Sequence, residues 1–502
     1  MTSLRQRFQA RRTAWSIANL PEIGLLLVLG YALYHFATFV WQIVAYPYPV
    51  DYGEGPLLSQ VGRLAAFENI YLADLTHAPY TITNYPPLYM LLQVPLNWLF
   101  GPAFWYGRLL SLLGMLLAVL FLGLTLYRLS RDRWAALVGA MLLFAIPYVK
   151  TWTPLFRIDP LALGLSWVGL YLVVRDSDER HSLLPAAIFL TAAIFTRQSY
   201  GLAAPLAAFA WLLSSQPRRR AFLLAAYVAG LSLGLFLLLN LLTGGGFFFN
   251  IVTANINAFQ MLTLLHYVDQ MLGDVPLLLA VGGLFLALGW IRNRAWALAG
   301  PYLLGAALSA LTIGKIGSNV NYLLELSAAL CLAMGLVVAW LRRRRTQAAS
   351  LPTRTGWYLA LLVLALLLAG QVYWAVNNED GYDRYLLAKT ALRTQNEVLL
   401  NLIEQAPGSV LTGEHMGLLA LTGRPIYYQP FEMKQLSDSG VWNQMPFLDE
   451  LASGQYPLIL IYSPAYSNVK ERRWTPEMLA MIQRHYRSVN NFEQTVVYQW
   501  KE

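Results

Sequence analysis

The stretch "GLLLVLGYALYHFATFVWQIVAYPYPVDYGEG", residues 24–55, decides the fold class. It opens with a run of about twenty apolar residues, the length that an α-helix needs to cross a bilayer. The run is too long for the apolar part of a signal peptide and lacks a small-residue cleavage site after it, so we interpret it as a retained membrane anchor. Two carboxylates, Asp51 and Glu54, follow where the chain leaves this run.

The composition of the whole chain agrees with a membrane protein. Of its 502 residues, 57% are hydrophobic and only 13% are charged, which is too apolar for a typical water-soluble domain. The net charge is +9, but the arginines form short clusters between apolar runs. That pattern is typical of cytoplasmic loops rather than of a nucleic-acid-binding surface. Cys331 is the only cysteine, so no intrachain disulfide can form.

We predict a polytopic α-helical membrane protein with about eleven transmembrane helices. The predicted spans lie near residues 22–45, 104–127, 134–149, 158–174, 183–196, 200–214, 221–242, 275–291, 295–312, 319–340 and 357–376. With the N-terminus in the cytoplasm, every arginine cluster falls on the cytoplasmic side, as the positive-inside rule requires. The predicted location is therefore the plasma (inner) membrane, crossed several times.

Two segments on the outer side are long enough to be structured. In the first extracytoplasmic loop, residues 46–103, "GPLLSQVGRLAAFENIY" is amphipathic and "PPLYMLLQVPLNWLF" is apolar but short, so we expect interfacial helices. In the tail, residues 377–502, helical patterns alternate with the strand-like runs "SVLTG", "PIYYQ", "PLILIYS" and "QTVVYQW". We predict a transmembrane domain over 1–376 and a small extracytoplasmic α/β domain over 377–502.

Several ionisable and amide side chains are predicted to lie on the outer side, at or near membrane depth. Asp51 and Glu54 by themselves could be a helix-capping arrangement. The other members of the set are Arg157, Asp159, Arg197, Gln198, Lys315, Asn319, Asn321 and Glu325. Charged groups at this depth are costly and either pair with one another or mark a substrate path. Internal pairs such as Arg157 with Asp159, or Glu325 with Lys315, are one interpretation; the other is a mixed-charge cavity that opens outward.

These residues resemble a known family in their order and sidedness. The segments "DYGEG", "NYPPLY", "RIDP", "TRQSYG" and "GKIGSNVNY" are similar to bacterial members of the GT-C superfamily of integral-membrane glycosyltransferases, relatives of the protein O-mannosyltransferases and lipid A aminoarabinose transferases. The resemblance implies a lipid-phosphate-linked sugar donor and an active-site acid in the first outer loop, which matches Asp51 with Glu54 as its neighbour. Many relatives have adjacent Asp-Glu where this chain separates the two, so the choice of base between them stays open.

The chemistry of such a transfer agrees with these residues. One carboxylate suffices as a base, because phosphate leaves without protonation. We assign Asp51 as general base, Glu54 as its orienting partner or a metal or acceptor ligand, and Arg197 and Lys315 as phosphate clamps. Arg157 and Asp159 are second choices for contacts to the sugar or the acceptor. Gln198, Asn319 and Asn321 complete the polar cavity, and aromatic residues such as Tyr85, Tyr52, Tyr89 and Trp152 are candidates to stack on sugar rings.

The predicted partners are a polyprenyl-phosphate sugar donor, a glycan, lipid or protein acceptor, and the bilayer. A divalent cation is compatible with this chemistry, although no ligand motif such as HExxH is present. A transporter or flippase of a lipid-linked sugar is the alternative function, yet we see none of the paired halves that transporters often show. A protein that only binds glycans is a third interpretation.

Overall fold

The computed structural model describes residues 19–175, 181–255, 257–289, 294–378, 382–464, 468–492 and 494–501. A bundle of apolar helices forms most of the chain, and a small sheet lies in the tail. Each of the eleven predicted spans overlaps a helix, although the helix in the span predicted at 134–149 ends at Leu142, before a 3₁₀ turn and the helix Pro147–Trp152. The eleven helices are Leu20–Val44, Trp105–Ser130, Arg133–Leu142, Asp159–Arg175, Leu184–Thr196, Ala203–Ser215, Arg218–Leu242, Pro276–Leu288, Trp296–Ala310, Leu324–Gln347 and Leu351–Asn377. The prediction of a helical membrane protein with a C-terminal α/β segment is confirmed.

The number of crossings stays a prediction. Within the described residues, six helices are long and apolar enough to cross a bilayer, or seven if a bent pair counts as one span. That pair, Met261–Asp274 and Pro276–Leu288, bends by 101°, and the proline at the bend cannot continue a helical hydrogen-bond ladder. Several other predicted spans are too short for a perpendicular crossing.

Shorter helices cover the end of the bundle that follows the first span. They are Glu54–Ala65, Leu88–Leu91, Val94–Phe100 and Pro147–Trp152, with 3₁₀ turns at Leu143–Ala145, Gln198–Gly201, Leu311–Gly314 and Val320–Leu323, and irregular helix at Gly246–Phe248 and Phe249–Thr253. The single interfacial helix that we predicted over 86–100 is two helices. Pro95 stands in the first turn of the second one. Because proline has no N–H, it cannot donate to the carbonyl of Leu91, where the first helix ends.

Close helix contact depends on glycine. Trp105–Ser130 packs along Asp159–Arg175, and a Cβ at Gly114 or Gly164 would collide with the backbone of the partner helix. Small residues let two helical backbones approach closely inside a membrane. This contact sets the start of each helix beside the first loop, where the Ser111 hydroxyl donates to the Arg157 carbonyl at 2.6 Å.

The tail contains four strands in the order β1-β2-β4-β3: β1 Val410–Thr412, β2 Leu458–Tyr462, β3 Tyr486–Phe492 and β4 Thr495–Trp500. β1 and β2 are parallel, while β4 is antiparallel to both β2 and β3. The tail helices are Tyr382–Ala391, Arg393–Gln405, Met416–Leu421, Pro430–Asp438, Met445–Ala452, Val469–Arg473 and Pro476–His485. Three of the four predicted strands are therefore confirmed.

The fourth predicted strand, "PIYYQ" at 425–429, is wrong. Its tyrosine Tyr428 forms only an isolated parallel bridge with Tyr80 of the first loop, because the chain turns into the helix Pro430–Asp438 directly afterwards. The bridge nevertheless joins two distant parts of the chain. Leu75, Tyr80 and Ile82 share one hydrophobic core with tail residues, so the first loop and the tail pack as a unit.

Candidate active site

A cavity of about 440 Å³ lies where the first loop, the ends of the bundle helices and the tail meet. Of our ten predicted site residues, all except Glu54 and Asp159 line it, which leaves eight. The eight are Asp51, Tyr85, Arg157, Arg197, Gln198, Lys315, Asn319 and Asn321. The structure therefore brings together side chains that are separated by up to 270 positions in the sequence, the distance from Asp51 to Asn321.

The Asp51 carboxylate is held at the cavity wall by three partners. The backbone N–H of Gly53 donates to Oδ2 at 2.9 Å, a local turn that aspartate commonly makes. The hydroxyl of Tyr382 donates to Oδ1 at 2.7 Å, and the Arg157 guanidinium forms an ion pair with Oδ2. Its side chain is 8% exposed, so the carboxylate is oriented but still borders open space.

Glu54 has a different environment, because its carboxylate is 0% exposed and does not line the cavity. Arg108 donates to it twice, through Nε at 2.9 Å and Nη2 at 2.8 Å. The N–H of Phe156 donates to Oε1 at 2.9 Å, and the N–H groups of Val50 and Asp51 donate to Oε2 at 2.8 and 3.3 Å. Of the roles that we considered for Glu54, this geometry favours the orienting partner and leaves no room for a substrate or a metal ion.

Asp159 also lies behind the cavity wall. It forms an ion pair with Arg197 and accepts hydrogen bonds from the indole of Trp152 at 2.8 Å and the amide of Asn321 at 3.0 Å. The pairing of Arg157 with Asp159 that we considered is therefore wrong, because side chains two residues apart at a helix start point in different directions. Asp159 instead holds Arg197 and Asn321 in place. We considered it as a second choice for contact with the substrate, and its burial disfavours that role.

Cations outnumber carboxylates in the described lining of the cavity. The cations in the lining are Arg157, Arg197, Lys315 and Arg473, and the carboxylates are Asp51 and Glu432. Among the described residues we find no hydrogen-bond or ion-pair partner for the Lys315 ammonium, and Glu325 does not pair with it. An unpaired cation at the wall of a cavity is ready to receive an anion.

The remaining predicted side chains shape the wall. The amide of Gln198 donates to the Asn84 carbonyl at 3.0 Å, and the side chain of Asn319 accepts from the Val320 N–H at 2.7 Å. Tyr85 and Trp152 line the cavity. Tyr89 does not, because it is fully buried and its hydroxyl donates to the Gly107 carbonyl at 2.8 Å.

The sequence reasoning missed three groups of contacts. Arg108 carried a signal, since an arginine four residues into an apolar run requires a buried partner. No signal in the sequence pointed to Tyr382 or to the tail pair Glu432 and Arg473, because nothing local relates them to Asp51.

Burial raises the pKa of Glu432 to about 7, although Arg473 and Arg157 oppose this shift, and its Oε2 atom is enclosed without a hydrogen-bond partner in the described structure.

The described residues contain no preformed cluster of metal ligands. Within the described ranges, no group of three His, Cys, Asp or Glu side chains lies close enough together to hold a metal ion. A group of three or four such ligands is typical of zinc sites, whereas Mg²⁺ is usually held by one or two carboxylates together with substrate phosphate.

No protein-family model matches the sequence, and no curated protein is similar to it. Solved structures do share its fold. ArnT from Cupriavidus metallidurans, bound to undecaprenyl phosphate, is 15% identical with a TM-score of 0.62, covering 94% of this chain and 97% of that chain. The archaeal oligosaccharyltransferase AglB from Archaeoglobus fulgidus, in complex with an inhibitory peptide and a dolichol-phosphate, is 12% identical with a TM-score of 0.52, covering 94% and 74%.

Both proteins belong to the GT-C superfamily. The chain is therefore a multi-pass membrane protein with the GT-C fold, as the sequence resemblance predicted.

Proposed function

We propose that this protein transfers a sugar from a polyprenyl-phosphate-linked donor to an extracytoplasmic acceptor hydroxyl, with inversion and with Asp51 as general base. The observation that carries the proposal is the position of the Asp51 carboxylate in a cavity whose other walls hold Arg197 and Lys315. A base and an anion site that share one cavity are the two elements that this reaction requires. The lipid phosphates bound to ArnT and AglB support this class of donor.

In this mechanism, Lys315, Arg197 and Arg473 bind the phosphate of the donor. The acceptor hydroxyl attacks the anomeric carbon from the face opposite the phosphate while Asp51 removes its proton. The bond between the anomeric carbon and the phosphate oxygen breaks, and its electron pair remains on the phosphate, where the cations stabilise the charge. Oδ1 of Asp51 accepts one hydrogen bond from Tyr382 and retains a second lone pair for the incoming proton.

Two buried ion pairs position this machinery. Glu54 and Arg108 hold the turn that carries Asp51, through the bonds to the N–H groups of Val50 and Asp51. Asp159 holds Arg197, whose guanidinium lies 4.3 Å from the centre of the Tyr322 ring. Glu54, Arg108 and Asp159 are positioning residues, whereas Arg197 itself contacts the donor in this mechanism.

The orientation in the membrane is part of the proposal. Three parts of the chain meet at one end of the bundle: the turn after Ser130, the start of the helix Leu20–Val44 and the end of the helix Leu324–Gln347. There Arg342 and Arg345 pair with Glu22. Asp51 lies beyond the opposite end of the 25-residue helix Leu20–Val44, about 37 Å away along its axis. We place the arginine-rich end in the cytoplasm and the cavity outside the plasma (inner) membrane.

The test uses purified protein in detergent with radiolabelled undecaprenyl-phosphate sugars, and it measures release of the lipid phosphate. We expect Asp51→Asn to lower the rate by about 10²-fold or more, because it removes the general base. Asp449→Asn, which changes an exposed aspartate of the tail, is the matched control and should retain the wild-type rate. Arg197→Ala and Lys315→Ala should weaken donor binding.

Full activity in a folded Asp51→Asn protein would show that another group is the base. The flippase alternative predicts movement of the lipid-linked sugar across a liposome membrane with no release of lipid phosphate, so the same donors distinguish the two functions.

A further inference from the structure

A second cavity, of about 230 Å³, lies on the other side of Asp51. Only Asp51 and Tyr52 line both this cavity and the larger one. The rest of its wall comes from the turn before Asp51 and from the tail, including the helices Tyr382–Ala391 and Arg393–Gln405. We call it the tail cavity. Asp51 therefore lies at the boundary between the two cavities.

An ion pair and an aromatic ring separate the two cavities. Arg473 lines the larger cavity and Glu414 lines the tail cavity, and the Nε of Arg473 lies 2.5 Å from Oε1 of Glu414. The Arg473 guanidinium also lies 4.1 Å from the centre of the Tyr52 ring. These contacts form part of the wall between the cavities, so ligands in the two cavities come nearest to each other beside Asp51.

The lining of the tail cavity differs from that of the larger cavity. Amide side chains from Gln395, Asn396 and Gln494 surround it, and Tyr385, which is 43% exposed, presents a ring at its wall. Amides offer both donors and acceptors, and a tyrosine ring combines an apolar face with a polar edge. This combination matches the alternating hydroxyl and C–H surfaces of a sugar.

The charged groups of the tail cavity are matched rather than in excess. Lys389 lies 5.3 and 5.0 Å from the centres of the Tyr385 and Tyr462 rings, and Glu414 pairs with Arg473. His415 contributes no charge near neutral pH, since burial and the nearby Lys389 lower its pKa to about 3; its Nε2 lies 2.8 Å from the Thr495 hydroxyl. The lining therefore favours a neutral ligand over an anion.

We propose that the tail cavity binds a neutral sugar unit of the acceptor, with the hydroxyl to be modified directed at Asp51. The inference rests on the proposed function and extends it by naming the acceptor as a carbohydrate. The acceptor oxygen forms the new bond to the anomeric carbon of the donor, its proton passes to Asp51, and the electron pair of the broken bond leaves with the phosphate in the larger cavity. The reaction requires the acceptor oxygen to contact the anomeric carbon directly, with Asp51 beside that oxygen to receive its proton.

The chain provides a clean chemical probe of this cavity, because its only native cysteine, Cys331, is fully buried. Ala388 lines the tail cavity and lies on the helix Tyr382–Ala391, whereas Ala391 is exposed on the same helix and does not line the cavity. The variants Ala388→Cys and Ala391→Cys are therefore a matched pair. Gln395→Cys reports on the opposite side of the cavity if Ala388→Cys folds poorly.

The measurement is the rate at which N-ethylmaleimide labels each cysteine in the presence of neutral trisaccharides of glucose, galactose, mannose or N-acetylglucosamine. We expect at least one of them to slow labelling of Ala388→Cys by about tenfold at ten times its Kd, because a bound ligand protects in proportion to occupancy. Labelling of Ala391→Cys should not change. A threonine-containing tripeptide and undecaprenyl phosphate should give no protection of Ala388→Cys.

Absence of protection by all of the trisaccharides, or equal protection by the peptide, overturns the inference. Protection does not depend on turnover, so it separates this inference from the proposed function. In addition, labelling of Ala388→Cys should abolish transfer to a saccharide acceptor, whereas labelling of Ala391→Cys should not change it. Release of lipid phosphate with unaffected transfer would reject the tail cavity alone, and no release from any unlabelled protein would reject the proposed function.

Discussion

At the scale of single residues, neighbouring acids in one short segment have separate roles because each has a different arginine. Asp51 pairs with Arg157 at the cavity wall, and Glu54 pairs with Arg108 where both side chains are fully buried. A buried pair contributes little net stability relative to apolar residues, but removal of one partner leaves an uncompensated charge. The two carboxylates should therefore respond differently to substitution.

We predict that Arg108→Ala destabilises the protein by roughly 3–5 kcal/mol, because it leaves the buried Glu54 carboxylate without its counter-ion. The measurement is thermal unfolding in detergent, compared with the exposed pair of Arg63 and Glu68. Glu68→Gln should cost about 1 kcal/mol or less. If Arg108→Ala and Glu68→Gln unfold at the same temperature, Glu54 has no structural role of the kind described.

At the scale of secondary-structure elements, the helix Glu54–Ala65 places the catalytic turn against the bundle. Gly53 precedes this helix with φ −80°, which any residue can adopt. A Cβ at that position would nevertheless collide with the guanidinium of Arg157. The glycine is therefore required by the arginine beside it and not by its own backbone conformation.

We predict that Gly53→Ala displaces Arg157 from Asp51 and lowers the transfer rate by up to about 10²-fold, the cost of a small misplacement at a reacting centre. The fold should survive, since the end of a long side chain can move away. Gly62→Ala is the matched control on the same helix, because a Cβ there meets nothing within 4 Å, and it should keep full activity with a stability gain of about 0.5–1 kcal/mol. Equal rates for both variants would contradict the role assigned to Arg157.

At the scale of the whole molecule, the tail completes the site because it packs on the first loop. The N–H of Tyr80 donates to the Tyr427 carbonyl at 2.7 Å, and the N–H of Gln429 donates to the Tyr80 carbonyl at 2.9 Å. The helix Pro430–Asp438 begins immediately after Gln429 and carries Glu432 into the larger cavity. The tail thus adds a titratable group to a site built mainly by the bundle.

We predict that donor affinity falls several-fold as pH rises through about 7, the raised pKa of Glu432. Below this pH the buried carboxyl is neutral; above it, a negative charge faces Arg473, Arg157 and Tyr52 and shares the cavity with Arg197 and Lys315, which weakens their attraction for phosphate. The measurement is the Kd of a polyprenyl-phosphate sugar, a phosphodiester that does not itself titrate there. Glu432→Gln should abolish the fall; an unchanged pH profile would exclude Glu432 as its cause.

Much of the fold was predictable because its signals are local. Each apolar run of sufficient length became a helix, and β1, β2 and β4 followed short apolar runs in the tail. β3 was missed because it is a polar, mostly exposed edge strand with no alternation to detect. The single helix predicted over 86–100 is interrupted before Pro95, because proline cannot donate the backbone hydrogen bond that would continue the first helix.

Which residues meet in the cavity was predictable as a set, but their pairing was not. Charges near the outer ends of spans had to lie at one membrane face, and eight of the ten predicted side chains do line one cavity. For Glu54 the sequence left the orienting partner and the ligand open, and Asp159 was a second choice for substrate contact, because the choice between a buried pair and a substrate ligand depends on which arginine lies beside each acid. That arrangement follows from helix packing, not from spacing along the chain.

By itself, the amino-acid sequence determined that the chain is a helical membrane protein and that the polar residues of its candidate site lie on one side, whereas the GT-C fold class was implied by a resemblance to a known family. Run length, turn residues and charge clustering are properties of neighbouring residues, so no three-dimensional information is required to interpret them. Only the tertiary structure decided that Arg108 serves Glu54 across 54 positions and that Arg157 serves Asp51 across 106. Such pairs form only where helices pack closely enough to exclude water, and that proximity belongs to the folded chain as a whole.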